Sequence, residues 1–369
     1  MKQLIRKTMM IVCEGTVTEP KYLSDLLAEV QQKSPEYKID ILPIPPKEEL
    51  EEEEQSYVRK SGRRRVLLEV EEEPELPVVP QEYRTQPLEY VWKAREALKV
   101  YGEAWAVFDR DEHPALDEAL TLADKDVDLK MVNIAFSSRS FEMWLLLHFE
   151  ASDFPFPKTL CRTRTYKGKK RKKHDEYHLC GEDKGHPLDC KGALCITGYM
   201  KENGYLDKDE DVKNITFKDV FKDNVHIAIG NALGLRKKVG SRETTSVDKL
   251  DPYTDFDRLV FKLLNIEFDY QWFGTHQIII DKIEFDLVDR GDNLILKIKN
   301  SSKGTYLVNP DNFLLLDIYN RPMKSNEGVR ALDPGKDDKV TFNMEDLGGF
   351  IPAFLRIPLD HTTWGIFEL

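Results

Sequence analysis

Three carboxylates stand where two apolar runs end. Met9–Cys13 is apolar and stops at Glu14-Gly15, and some ninety residues later Trp105–Phe108 stops at Asp109-Arg110-Asp111. A buried strand ending at Glu14 would present that side chain at its carboxyl end, where open α/β sheets collect ligands. Residues two apart in extended chain point the same way, so Asp109 and Asp111 could face one ion. One sheet holding all three would make an oxygen-rich site for Mg²⁺ or Mn²⁺, with Glu19 and Glu142 as possible additions. Such an ion polarises a phosphodiester and activates or orients water, and two ions about 4 Å apart clamp both attacking and leaving oxygens. An isolated Asp-x-Asp is more often a solvated strand end. Its conjunction with a Glu-Gly that ends an earlier strand carries the reading.

Other groups nearby have two readings each. His113 could donate a proton or contact phosphate, or could cap the next helix locally. Arg139 precedes an apolar helix pattern and could reach a scissile phosphate at that helix's start, or form an ordinary ion pair. Trp144 and Phe149 read as core rather than as a base-stacking platform, and His148 as a satisfied core histidine. A second constellation is Arg162, Arg164, Lys167, Lys169, Lys170, Arg171, Lys172 and Lys173, eight basic residues among twelve with no acid between them. Such a run gives salt-sensitive, sequence-independent affinity for nucleic acid, and Tyr166 could stack a base. The plain alternative is a solvated loop, or a segment docked on the chain's own glutamates. Cys161, His174, His178, Cys180, His186, Cys190 and Cys195 surround it and include enough ligands for a structural Zn²⁺, but no Cys-x-x-Cys pair occurs. Hydrolase-triad, Walker and dinucleotide motifs are absent, so a partner must supply any energy.

The elements that must position these groups follow the strand–helix alternation of a parallel sheet. The pattern predicts a helix from Thr18, as N-cap, to about Gln32, with Pro20 in its first turn. A strand is expected at Tyr37–Ile44, a helix at Leu88–Val100, a short helix over 114–125, a strand at Leu129–Phe136 and a mostly buried helix capped by Ser138 or Ser140. Residues 45–86 break the pattern with glutamate runs, prolines and Arg63-Arg64-Arg65, a composition typical of a solvated insertion; the arginines could instead touch phosphate. Helical periodicity returns at Phe217–Leu235 and Thr254–Leu264. From His276 the period switches to two, with Ile283/Phe285/Leu287 and Leu294/Leu296/Ile298 alternating across a hairpin signal at 289–293. Further short strands at Phe313–Ile318, Lys339–Phe342, Phe354–Ile357 and Trp364–Phe367 fit an Ig-like β-sandwich. The expected division is an α/β domain over 1–270, with insertions at 45–86 and 158–200, and a β-sandwich over 275–369.

Composition sets limits on function. The 369 residues carry 54 basic and 66 acidic side chains, a net charge of −12 that argues against a nonspecific nucleic-acid coat. Five scattered cysteines suggest a reducing compartment rather than a disulfide framework. The one apolar run near the N-terminus is too short for a signal peptide, and no stretch approaches a membrane span of about eighteen apolar residues. A cytoplasmic protein is expected.

Glu-Gly after one strand and Asp-x-Asp after a later one resemble the Toprim fold of topoisomerases, DnaG-type primases and OLD-type nucleases. More closely, the stretches Val12–Leu23, Val107–His113 and Ser140–Phe149 are similar to RloB-like (AbiL-type) proteins, in the same order. The resemblance covers residues 9–150 well and runs more loosely to about 265, through 228–232 and 251–254. It implies a Mg²⁺-dependent Toprim-type nuclease or toxin, paired with an ABC/SMC-like ATPase in antiphage defence or abortive infection. By position, Glu14 would be the Toprim glutamate and Asp109 and Asp111 metal ligands, with Glu19 and Glu142 at the site's edge. The substrate would be DNA or RNA, tRNA included, and a homodimer is open. A different class of reading stays open too: a non-catalytic Toprim-like subunit that docks the ATPase. Primase-like nucleotidyl transfer uses the same carboxylates but lacks a recognisable triphosphate pocket.

Overall fold

The computed structural model describes residues 7–34, 36–43, 76–110, 113, 115–127, 130–156, 195–207, 217–242, 245–266, 269–273, 278–280, 282–289, 293–319, 321–343, 352–359 and 363–369. Contacts divide the chain into two compact units. The first comprises 1–146, 154–223 and 254–259, and the second 147–153, 224–253 and 260–369.

In the first unit the apolar run becomes β1 (Lys7–Cys13), whose last five residues are buried. Helix α1 (Thr18–Lys33) returns the chain to β2 (Tyr37–Leu42). Then follow α2 (Leu88–Ala97), β3 (Glu103–Asp109), α3 (Leu116–Ala123), β4 (Asn133–Ser138), the short α4 (Glu142–Leu146) and α5 (Ile196–Glu202). β1 pairs in parallel with β2 and β3, and β3 in parallel with β4; with β5 (Tyr253–Thr254) the sheet order is β2-β1-β3-β4-β5. β1 and β3 are apolar at nearly every position because helices cover a parallel sheet on both faces. Each fully buried Ile, Val or Phe side chain there contributes roughly 1.5–3 kcal/mol.

The start of α1 departs from expectation. Val17 occupies the cap position, Thr18 is already helical, and the Lys21 N–H donates to Val17 O at 2.9 Å. Tyr22 on this helix anchors an aromatic cluster, edge-on to Phe141, Trp144, Phe217 and Phe256. Trp144 is therefore core, with no exposed surface. The expected strand at Leu129–Phe136 lies four residues later, at 133–138, and the helix after it is only five residues long.

Thr254 and Asp255 tie the distant end of this unit to β4. Asp255 Oδ1 accepts from Phe136 N at 2.7 Å, Phe136 O accepts from Asp255 N at 3.0 Å, and the Ser137 and Thr254 hydroxyls lie 3.0 Å apart.

The second unit holds α6 (Val225–Val239), preceded by a π turn at Phe217–Phe221 and a 3₁₀ turn at Lys222–Asn224 that, Asn224 apart, belong to the first unit. Helix α7 (Phe256–Leu264) leads into β6 (Asp269–Phe273), β7 (Ile278–Ile280), β8 (Ile283–Asp289), β9 (Asn293–Asn300), β10 (Tyr306–Val308), β11 (Leu314–Asp317), β12 (Pro322–Lys324), β13 (Arg330–Leu332), β14 (Asp337–Asn343), β15 (Pro352–Pro358) and β16 (Thr363–Glu368). They form a four-stranded sheet β14-β9-β8-β7, a five-stranded sheet β12-β11-β15-β16-β6 and the ribbon β10-β13. All pairs are antiparallel except β16 with β6. The hairpin expected at 289–293 pairs Phe285 with Ile298 and Leu287 with Leu296. Inward residues of both larger sheets, among them Phe285, Leu296, Phe342, Leu315 and Leu355, share one apolar core. His148 is 1% exposed, as a core histidine should be.

Candidate functional site

Glu14 is the first residue after the buried part of β1, and its N–H extends the ladder by donating to Val107 O at 2.8 Å. That register places Glu14 beside the end of β3. Its Oε2 accepts from the Asp109 backbone N–H at 3.0 Å, and its Oε1 lies 2.9 Å from His113 Nε2. A carboxylate only accepts, so this contact puts a proton on His113 Nε2. Both side chains are mostly buried, 15% exposed for Glu14 and 13% for His113. Two donors on two oxygens hold the carboxylate in one orientation beside the carboxyl ends of β1 and β3. Asp109 itself ends β3 opposite Ser137 of β4, and the Arg110 N–H continues that ladder to Ser137 O at 2.8 Å.

Glu19 folds back onto the same strand end. A Cβ placed on Gly15 would lie 1.9 Å from Glu19 Oε2, so any other residue there would push this carboxylate aside. Glu19 is 6% exposed, and its charge adds to burial in pushing the Cys13 thiol well above its ordinary range. Tyr90 on α2 belongs to the same neighbourhood. Burial first, then the charges of Glu14, Glu89 and Glu19, push its phenol up to about 12, against the opposing bond from Gln86 Nε2 at 2.6 Å. Sequence patterning gave Tyr90 no role, because an aromatic on a helical apolar stripe reads as core.

The other end of the expected site lies after β4. The Ser138–Arg139 peptide is cis. Arg139 Nε is buried and has no hydrogen-bond partner among the described residues. Glu142 opens α4 and accepts from Ser140 Oγ at 2.7 Å. Among the described residues, no three His, Cys, Asp or Glu side chains cluster closely enough to hold a metal ion.

The structure thus brings together Glu14, the Asp109 backbone and His113, with Glu19 against Gly15. Asp111 lies outside the described residues. So do Arg162, Arg164, Lys167, Lys169, Lys170, Arg171, Lys172 and Lys173 of the basic run, and Cys161, His174, His178, Cys180, His186 and Cys190 of the expected zinc cluster. Cys195, the remaining member, is buried. No helix among the described residues is long and apolar enough to cross a membrane.

No curated protein matches the chain. Among solved structures, the YjhA protein from Bacillus subtilis aligns at 13% identity over 27% of this chain and 98% of that one, with a TM-score of 0.20. So low a score carries no structural argument. A family model described as "RloB-like protein" matches residues 9–263, which span β1, Glu14, Asp109, His113, Arg139 and the Thr254–Asp255 clamp. The chain belongs to the RloB-like protein family.

Proposed function

We infer that the chain is a metal-dependent nuclease of Toprim type, hydrolysing phosphodiester bonds in DNA or RNA as the toxin of an antiphage or abortive-infection system. The observation that carries this reading is the carboxyl end of β1, where Glu14 is gripped at once by the Asp109 N–H and by His113. The donor chemistry fits Mg²⁺ or Mn²⁺. The side chains are hard-oxygen ligands, a carboxylate oxygen that accepts one bond has a second lone pair, and Mg²⁺ commonly takes one or two carboxylates and several waters. Glu14 and Asp109 would hold it with Asp111, and Glu19 is the candidate at the edge. Such an ion, when bound, supplies Lewis-acid stabilisation of a phosphodiester's developing charge.

The chain's own groups would do the rest. The Asp109 N–H and His113 keep Glu14 aimed. Arg139 would donate to a non-bridging phosphate oxygen; an unsatisfied buried donor costs about 1–3 kcal/mol, and a phosphate relieves that cost. Glu142, steered by Ser140, would face the scissile region from beyond the neighbouring carboxyl end of β4. The basic run at 162–173 would neutralise further phosphates along the substrate. In this reading the five-stranded, mostly parallel sheet is Toprim-like, the C-terminal sheets are an Ig-like sandwich that docks an ABC/SMC-like ATPase, and the protein works in the cytoplasm.

The test is cleavage of labelled DNA and total tRNA with Mg²⁺ or Mn²⁺, by wild type and by Asp109→Ala/Asp111→Ala, with and without the candidate ATPase. Cleavage that needs both metal and aspartates supports the nuclease and names its substrate. A second reading, the non-catalytic docking subunit, draws on the same geometry: a carboxylate whose two oxygens are both engaged by protein donors is also what a structural strand-end clamp looks like. Wild-type toxicity and ATPase binding retained by Glu14→Ala would favour it.

A further inference from the structure

Tyr90 stands in the first turn of α2, a helix that packs on β1 and β3. β3 follows α2 in the chain and runs parallel to β1. A helix that feeds a parallel strand descends from the carboxyl to the amino end of the sheet. The first turn of α2 therefore lies at the end where Glu14 and Asp109 stand, the end at which such sheets take ligands. The electrostatics agree with this placement. Among the charges that act on the Tyr90 phenol, Glu14 outweighs Glu89, the next residue on Tyr90's own helix, and Glu19 follows.

Tyr90 is 9% exposed, and its hydroxyl is only half used. The phenol oxygen accepts from Gln86 Nε2 at 2.6 Å. A phenol also carries a proton to donate, and this one has no acceptor among the described residues. Lys93 lies over the ring, 5.9 Å from its centroid, and pairs with Glu89 at 2.6 Å, so it leaves the hydroxyl alone. Both Glu14 oxygens already receive protein donors, the Asp109 N–H and His113. A lysine or arginine at this place would pair with Glu14 and Glu19 and compete with a cation for them. A phenol that stays protonated until about pH 12 offers a bond without a charge, and leaves the carboxylates to a metal.

We propose that the Tyr90 hydroxyl is a substrate-binding donor of the strand-end site and hydrogen-bonds a non-bridging oxygen of the phosphodiester. The inference rests on the nuclease reading above and adds to it a residue that holds the substrate. A phosphate oxygen is a charged acceptor, and a bond to it is stronger than one between neutral groups. Gln86 takes the lone pair that faces it and so leaves the hydroxyl's proton for the ligand. The contact is made to the bound phosphate before reaction, so it contributes to substrate affinity rather than to the chemical step.

The test compares wild type with Tyr90→Phe in two measurements on the full chain. One is steady-state cleavage of labelled DNA or tRNA, whichever the wild type cuts with Mg²⁺ or Mn²⁺. The other is binding of the same labelled strand by fluorescence anisotropy, with Ca²⁺ in place of the catalytic ion. Phenylalanine keeps the ring beneath Lys93 and removes only the hydroxyl, and Gln86 is exposed, so water can take its amide. Tyr90→Phe should raise KM about tenfold at unchanged kcat, the loss of one hydrogen bond to a charged group. Kd in Ca²⁺ should rise by a similar factor, with the unfolding midpoint at neutral pH unmoved. Unchanged KM and Kd, beside a wild type that cleaves, overturn this inference alone. A lower kcat at constant KM overturns it as well, as does a loss of binding that accompanies a lower midpoint, because the hydroxyl is then structural. A wild type without metal-dependent cleavage of either substrate removes the nuclease reading and this inference with it.

Discussion

The strand ends of the N-terminal sheet and two arginines of the second unit, Arg236 and Arg330, stand in different polar surroundings. In the second unit, two arginines are closed off by carboxylates. Arg236 and Glu368, 2% and 4% exposed, form a two-pronged pair at 3.0 and 3.1 Å, and Arg330 spends every guanidinium nitrogen on Asp338, Glu327 and the carbonyls of Gly328 and Lys339. In the first unit, Arg139 keeps a buried Nε without a partner among the described residues, and Glu14, Glu19 and the Tyr90 phenol share one strand end. Closed pairs hold a fold together, whereas a donor left open and carboxylates packed side by side cost stability that only a ligand returns. Under the proposed function, the crowded strand end of the first unit is where the chemistry would lie.

The largest expected effect breaks that assignment most directly. Glu14→Ala should lower metal-dependent cleavage on the order of a thousandfold, the equivalent of several kcal/mol of charge stabilisation, with little change in unfolding midpoint. A midpoint collapse with cleavage per folded molecule unchanged would make Glu14 a scaffold residue. Next, Arg236→Ala strands Glu368 in the core and should cost about 3–5 kcal/mol in denaturant unfolding, leaving cleavage by the folded fraction intact. Gly15→Ala pushes a methyl against the Glu19 carboxylate, the free end of a side chain that can swing aside, and should cost no more than about 1 kcal/mol, read from the same curves. Arg139→Met sharpens the contrast with Arg236: the folded chain should be no less stable, while the KM for substrate rises.

The smallest effect is in alkaline pH. Tyr90 ionises near 10 in the unfolded chain and at about 12 in the fold, so the folded state retains a proton the unfolded state has lost. Stability should therefore fall as pH rises from about 10 towards 12, and Tyr90→Phe should flatten that fall. Tyr101, pushed up by burial and by its bond to Asp40 at 2.5 Å, adds a slope of the same sign, so the variant reduces the loss without abolishing it.

Legibility tracked the range of the interaction. β1, β3 and the β8–β9 hairpin were readable because period and burial are local properties. Val17 displaced Thr18 at the cap of α1. Tyr90's electrostatic neighbours, the Ser140–Glu142 contact and the clamp from Thr254 and Asp255 onto β4 left no mark in the local pattern. The bonds of Arg330 were equally silent, because a short strand with two aspartates reads only as a polar edge.

The order of residues determined by itself that apolar runs end on Glu14 and Asp109, that the first half alternates strands with helices, and that the last hundred residues pair as short strands. Only the tertiary structure decided what those polar ends do. Parallel pairing of β1 with β3 sets Glu14 against an amide and an imidazole some ninety-five positions away. Periodicity fixes which face of an element is apolar, but the partner of a buried carboxylate depends on register between strands that no local pattern encodes.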